Sequence, residues 1–397
     1  MVGAIFVVAA ALVVVWQVAR RHAVAASARE ESANRASPEP PRSAPPHAES
    51  IADDAAGNAA RWHERAERVV RARNARLFNA DVARLLALPP DEAWPALVDR
   101  ALAGDVAAAT AAMHVATLCR TLSRDDGYVS GTRPNVSSKL HANLPPAWKT
   151  FLDAIETRGR DDLRERITHC DGVSDATDFA LLMIDRLFES SGPDLKLAIA
   201  KDEDDDAQAI SDLRALAAIY PGVNAQRALA ERELESADAA AGAEGRAALE
   251  KLAPDDADAT IELAFCAGQS ESMGDAQTMA LRACHAFDDD PVAASQWLER
   301  AAGLGDHAAL MQWIVKLEGD GRAVDAWAWS LYRLDLAMRG CFEFDRPDFT
   351  YVGLAADAEN RLHKALDAKQ ENAGRAIANE IAGRWQAEAT GRLGCAD

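Results

Sequence analysis

Strand-forming pattern is missing from this sequence. No window alternates Val, Ile and Thr with polar residues, and aromatic side chains make up only 6% of the chain although hydrophobic residues reach 49%. Alanine fills the difference, and it is the best helix former and a poor strand former. That excludes a sheet-based fold and points to an all-α body. A basic surplus is missing too: 43 Lys and Arg face 63 Asp and Glu, a net charge of −20. Nucleic acid binding needs a cationic surface, so nucleic acid is set aside as a partner, and the acidic surface reads as a solubility feature.

Motifs that carry chemistry are also lacking. There is no Gly-rich phosphate loop, no H-E-x-x-H, no C-x-x-C and no G-x-S-x-G. His114, in the apolar stretch "TAAMHVATL", reads as a core histidine. His285 stands beside Cys284, but no carboxylate is spaced to complete a nucleophile–base–orienter set. The run "KDEDDD" at Lys201–Asp206 lacks the alternating ligands and central glycine of a calcium loop and reads as a solvated loop. No catalytic residue, cofactor or metal site is therefore expected.

What the chain does contain begins with an apolar run, "VGAIFVVAAALVVVWQV", from Val2 to Val18. It is of the length that spans a bilayer as a helix. Trp16 falls where an interfacial aromatic would, Arg20 and Arg21 follow, and the nearest small-residue cleavage site, "AVAAS" at Ala23–Ser27, lies beyond those arginines. The expectation is an uncleaved transmembrane anchor over residues 1–22. Residues 23–58, with "SANRASPEPPRSAPPHAESIADDAAGN" from Ser32 to Asn58, are rich in proline, serine and charge and predict a disordered linker. Residues 59–397 form the folded body.

The body carries a repeated phrase. In "DPVAASQWLERAAGLGDHAALMQW", Asp290 and Pro291 suit the start of a helix, and Trp297, Leu298, Ala301 and Leu304 share one face. Gly303 and Gly305 predict a stop with positive φ. Asp306 recaps, and Leu310, Trp313, Ile314 and Leu317 mark the next helix. The segments Leu97–Ala108 and Leu298–Ala309 both read L-x-x-x-A-x-x-G-D-x-A-A, with Gly104 and Asp105 at the earlier turn. A blurred third copy runs from Leu249 to Cys266, with Pro254–Asp256 in place of the Gly-Asp turn. Helical hairpins of this kind cannot bury their apolar face alone and stack into an α-solenoid. Further helices are expected over Ala59–Leu88, Pro145–Cys170, Ser174–Ser191, the stretch around Trp327–Met338, and Gly353–Ala389 as a closing cap.

These residues resemble the Sel1-like repeat, a relative of the tetratricopeptide repeat. Trp297, Leu298, Ala301, Ala302, Gly305 and Ala309 match its W-L-x-x-A-A-x-x-G-x-x-x-A pattern. The resemblance implies a non-catalytic bacterial scaffold or adaptor, often in the envelope or in signalling. It names no partner. An echo of lytic transglycosylases, "ESMGDA" at Glu271–Ala276 and "ALMQW" at Ala309–Trp313, is the form an enzymatic alternative takes. Its spacing is about twice that family's, and the repeat already explains Leu310 and Trp313 as packing residues.

Trp327 and Trp329 are candidate binding aromatics that could line a groove for a peptide; packing between small-residue helices is the other reading. Six cysteines, Cys119, Cys170, Cys266, Cys284, Cys341 and Cys395, admit many pairings or none. Sequential pairing is the expectation, because several lie at predicted helix ends and Cys395 lies in a tail without a core. The arginines after the apolar run favour a cytoplasmic body, whereas bridges require an oxidising compartment. Cysteine placement tips the expectation to a single-pass inner-membrane protein with a periplasmic body, the cytoplasmic orientation being the alternative. The functional expectation is a membrane-tethered helical-repeat scaffold that binds an unknown protein. A peptidoglycan-linked or small-ligand-binding envelope protein is the alternative.

Overall fold

The computed structural model describes residues 54–124, 130, 140–175, 179, 206–219, 223–236, 238–272, 286–287, 290–341 and 349–395. The expected anchor, nearly all of the linker, and most of the helix expected at Ser174–Ser191 lie outside them. Among the described residues there is no strand, and no helix is long and apolar enough to cross a membrane. The helices are α1 (Ala55–Leu77), α2 (Ala80–Leu85), α3 (Pro90–Leu102), α4 (Val106–Arg124), α5 (Pro146–Thr168), α6 (Asp206–Ile219), α7 (Val223–Leu234), α8 (Ala239–Leu252), α9 (Ala257–Ser272), α10 (Pro291–Gly303), α11 (His307–Gly319), α12 (Ala323–Met338), α13 (Phe349–His363) and α14 (Ala368–Leu393).

Five helix ends share one device. Gly104, Gly305, Gly321, Gly340 and Gly394 all adopt positive φ. In each case the N–H of the next residue donates to the carbonyl five residues back: Asp105 to Arg100, Asp306 to Ala301, Arg322 to Leu317, Cys341 to Leu336 and Cys395 to Thr390. This closes the last turn and satisfies carbonyls the helix leaves over. At the two repeat turns an aspartate then caps the following helix. Asp105 Oδ1 accepts from the Ala108 N–H at 3.1 Å, and Asp306 Oδ1 from the Ala309 N–H at 2.7 Å. Gly303, expected as part of the stop, instead lies inside α10 and is buried. Only Gly305 takes the left-handed conformation there, because a single such residue suffices to reverse the chain.

Local capping also corrects three boundaries. The helix expected from Ala59 to Leu88 is two: Phe78 is extended, and Asn79 caps α2 by accepting from the Val82 N–H at 3.0 Å. The first of the two starts early, at Ala55, inside the stretch read as linker, because Asp54 accepts from the Gly57 N–H at 3.0 Å. The helix expected over Gly353–Ala389 is also two. It is divided at Asp367, where a reciprocal capping box with Gln370 opens α14.

The described residues cluster in two compact units. One falls in Ile184–Lys316. There α7 packs on α8 and α9 on α10 around Leu234, Leu249, Leu263, Cys266, Phe287 and Ala294. Arg227 holds the third turn by donating to Asp256 at 2.7 Å, while Asp256 caps α9. The approach of α7 and α8 is the tightest point. A Cβ added to Gly245 would overlap the backbone nitrogen of Leu234 and the carbonyl oxygen of Ala230. Gly245→Ala should gain helix propensity of about 1 kcal/mol. It must, however, push two backbones apart, and overpacking costs about 1–3 kcal/mol or more. A net loss of stability is expected; a variant that melts higher than the parent would show that the helices can separate at little cost.

The other unit draws on Ser27–Met183 and Leu317–Asp397. Its core gathers Trp62 of α1, Phe151 and Ile155 of α5, Ala337 of α12, and Tyr351 and Val352 of α13. The first helix ties the ends of later ones. Trp62 Nε1–H donates to the Ala337 carbonyl at 2.9 Å, and Arg76 donates to the Gly391 carbonyl. In the same unit α3 packs on α4 beyond the Gly104–Asp105 turn. Burial acts to raise the Asp105 carboxyl, but the Ala108 N–H and the Arg100 guanidinium, whose Nε donates at 2.9 Å, outweigh it and hold the group below the usual carboxylate range.

Candidate functional site

Helix α5 carries two of the three side chains whose ligand atoms converge as a candidate metal-binding group among the described residues. Its apolar stripe runs through Leu152, Ile155, Gly159 and Leu163, and Glu156 lies on that stripe, buried with them. Asp153, Thr157, Arg158, Asp161 and Asp162 continue onto the outer face, where with Ala154 they line a shallow groove open to solvent. Two buried histidines meet this helix from other elements. His63 comes from α1: its Nε2–H donates to the Ile155 carbonyl at 3.2 Å, and its Nδ1 lies 3.3 Å from Asp162. His141 comes from the loop that leads into α5.

That loop is held from three sides. The Leu144 N–H donates to the His141 carbonyl at 3.0 Å. Lys149 Nζ donates to the Ala142 carbonyl at 3.2 Å, and Asn360 Nδ2 of α13 to the Asn143 carbonyl at 3.0 Å. Gly353 leaves room for the Leu140 side chain at the same junction. The clamp sets the His141 imidazole against α5, so that one ring nitrogen and one oxygen each of Asp153 and Glu156 all fall within 4.8 Å of one another. Sequence reading found no metal-ligand spacing, because the histidine and the carboxylates meet only when the loop folds back on α5. The signal it could have used is Glu156, a charged residue on an otherwise apolar helical stripe.

Burial lowers the pKa of His63 below the ordinary 6.5, against the raising effects of the Ile155 carbonyl, Asp162 and Glu67 and with a smaller lowering from Arg158. Burial likewise lowers His141, against Asp153 and Glu156 and with Lys149. The folded protein thus keeps both rings neutral where the unfolded chain would take up protons. Stability is expected to hold above pH 6.5 and to fall as the pH drops through 6.5 toward the lower folded values. Melting midpoints measured from about pH 8 to 5 should show this slope, and His63→Gln should flatten it. A midpoint independent of pH would contradict the neutral burial of these rings.

The residues singled out from sequence fall elsewhere. Gly104, Asp105, Gly305 and Asp306 form the repeat turns described above. Trp327 and Trp329 do not line a groove: they are 0% and 4% exposed. Helix α12 packs against both α13 and α14 and is buried on most of its surface, which puts both indoles inside. Trp297 is partly buried, and Trp313 is buried. Cys119 and Cys170 form a disulfide, as do Cys341 and Cys395, and no described cysteine is a free thiol. Cys341 and Cys395 each directly follow a positive-φ glycine at a helix end, which brings two chain reversals together. Cys266 is disulfide-bonded, while Cys284, its expected partner, lies outside the described residues. So do His285, the side chain of Glu271 and nearly all of Lys201–Asp206.

No protein-family model matches the chain, and no curated protein matches it. A similar solved structure is a protective antigen present in uropathogenic Escherichia coli strains, described as displaying an SLR fold. It shares 17% identity at a TM-score of 0.34 over 78% of this chain and 60% of that one. The chain therefore spans less than two thirds of that neighbour's length. A likeness of this extent carries no argument, and the fold class rests on the helices themselves.

Proposed function

We propose that the protein is a membrane-tethered scaffold of Sel1-like helical hairpins that binds another protein at the cell envelope. The observation that carries this reading is the repeated turn. Gly104–Asp105 and Gly305–Asp306 use the same left-handed glycine, the same backbone closure and the same aspartate cap. Hairpins repeated in this way are the building blocks of protein-binding solenoids. The tether is the apolar run at Val2–Val18 followed by the proline-rich linker. The disulfides Cys119–Cys170 and Cys341–Cys395 support an oxidising compartment, hence a periplasmic body.

Cross-linking in intact cells, followed by affinity capture of the full-length chain from membranes, tests the scaffold reading. The expected result is one protein enriched over an unrelated membrane-anchored control; equal recovery of all membrane proteins would remove the reading. Orientation is tested separately by alkylating the denatured, unreduced protein. Fewer than six reactive thiols are expected. Six reactive thiols, with protection from protease added to spheroplasts, would place the body in the cytoplasm.

A further inference from the structure

We propose that His141, Asp153 and Glu156 bind one divalent transition-metal ion where the His141 loop folds back on α5. The ligand atoms already converge within 4.8 Å of one another. Three protein ligands at metal–ligand distances of about 2.0–2.2 Å stand roughly 3–3.5 Å apart in a tetrahedral site, so a modest closure completes the set. Asp153 can supply it, since its side chain is 60% exposed and a change of rotamer draws its oxygen inward. The other two ligands are buried and held: Glu156 by its place on the α5 stripe, His141 by the clamped loop.

The imidazole supplies an independent observation. The His141 side chain is 5% exposed, and its Nδ1 lies 4.0 Å from Asp153 Oδ1, beyond hydrogen-bond reach. A metal ion with bonds of about 2.0–2.2 Å fits between a ring nitrogen and a carboxylate oxygen at this separation. His63, by contrast, engages a backbone carbonyl directly, through Nε2–H to Ile155 at 3.2 Å.

The donor set selects the ion. One imidazole with two carboxylates suits Zn²⁺ or Mn²⁺ and lacks the six or more oxygens that Ca²⁺ takes. Three protein ligands leave a coordination position open, and Asp153 also lines the groove. Water, or a carboxylate or imidazole of a bound molecule, completes the coordination there. The site stands independently of the scaffold reading.

Full-length protein stripped with chelator and titrated with Zn²⁺ by calorimetry tests the inference, with Co²⁺ absorption reporting the ligand geometry. Wild type should take up one more ion per chain than Asp153→Asn, Glu156→Gln or His141→Ala, each of which should weaken that ion's affinity by at least about tenfold. Zn²⁺ should also raise the melting midpoint of wild type and not that of Asp153→Asn. Asp153 lies at the surface, so this variant carries the test if either buried substitution fails to fold. Equal uptake by wild type and Asp153→Asn, or no uptake by either, overturns the proposal.

Discussion

Trp327→Ala is expected to cost the protein roughly 3–5 kcal/mol, the range for deleting a buried aromatic side chain. The indole is 0% exposed. Its ring stacks on His363 at 5.1 Å with the planes 10° apart, and Arg375 lies over the ring at 5.5 Å. Gly374 of α14 approaches so closely that a Cβ there would collide with the ring. On the opposite edge, Nε1–H donates to Glu359 Oε1 at 3.0 Å, and Glu359 is itself only 4% exposed. Trp327→Phe separates the two contributions. It keeps most of the apolar volume and removes a donor to a buried carboxylate, for a loss of about 1–3 kcal/mol. Thermal and urea denaturation followed by circular dichroism would rank the two variants. An alanine variant that melts with the parent would return Trp327 to a surface role.

Replacing both Cys119 and Cys170 by alanine is expected to lower stability by about 4 kcal/mol in the chain-entropy description of a cross-link. The bridge joins residues 51 apart in sequence, from α4 to the end of α5. Among the described residues the local apolar cluster buries Leu122 and Leu163, with Leu118 and Ile167 partly so. The other nearby link, His169 Nδ1 to Asp91 at 3.1 Å, is exposed and contributes little. Because α5 carries the groove and two of the proposed ligands, the double variant should also show weaker Zn²⁺ binding than wild type. Reductant should shift the melting midpoint of wild type toward that of the double variant, and would leave it in place if the bridge were absent in solution.

Much of the fold was legible in the sequence because its signals are local. Alanine abundance and the absence of alternating patterns fixed the helical class. Gly104–Asp105 and Gly305–Asp306 announced their turns, since a left-handed residue followed by a side-chain cap needs only neighbouring residues. The break at Asp367 was equally readable, as the spacing Asp367-x-x-Gln370, and the break at Phe78–Asn79 as an asparagine cap. The apolar periodicity runs on across both breaks and masks them. The candidate site was not legible. Its histidine precedes its carboxylates by a proline-bounded loop, and nothing in the spacing of His141, Asp153 and Glu156 requires that loop to fold back.

By itself, then, the sequence determined helices, caps and reversals, because backbone hydrogen bonds within a few residues decide them. The tertiary structure decided what those helices bury. Trp327 and Trp329 looked equally suited to a groove and to a core until α13 and α14 closed over α12. The chain around Cys119 and Cys170 came together only through the packing of α4 and α5. Glu156 became a buried carboxylate beside a buried imidazole only when His141 was clamped against α5 by Lys149 and Asn360. Each of these outcomes depends on contacts between residues far apart in the chain, whose free energy comes from excluding water across a whole interface rather than from any local preference.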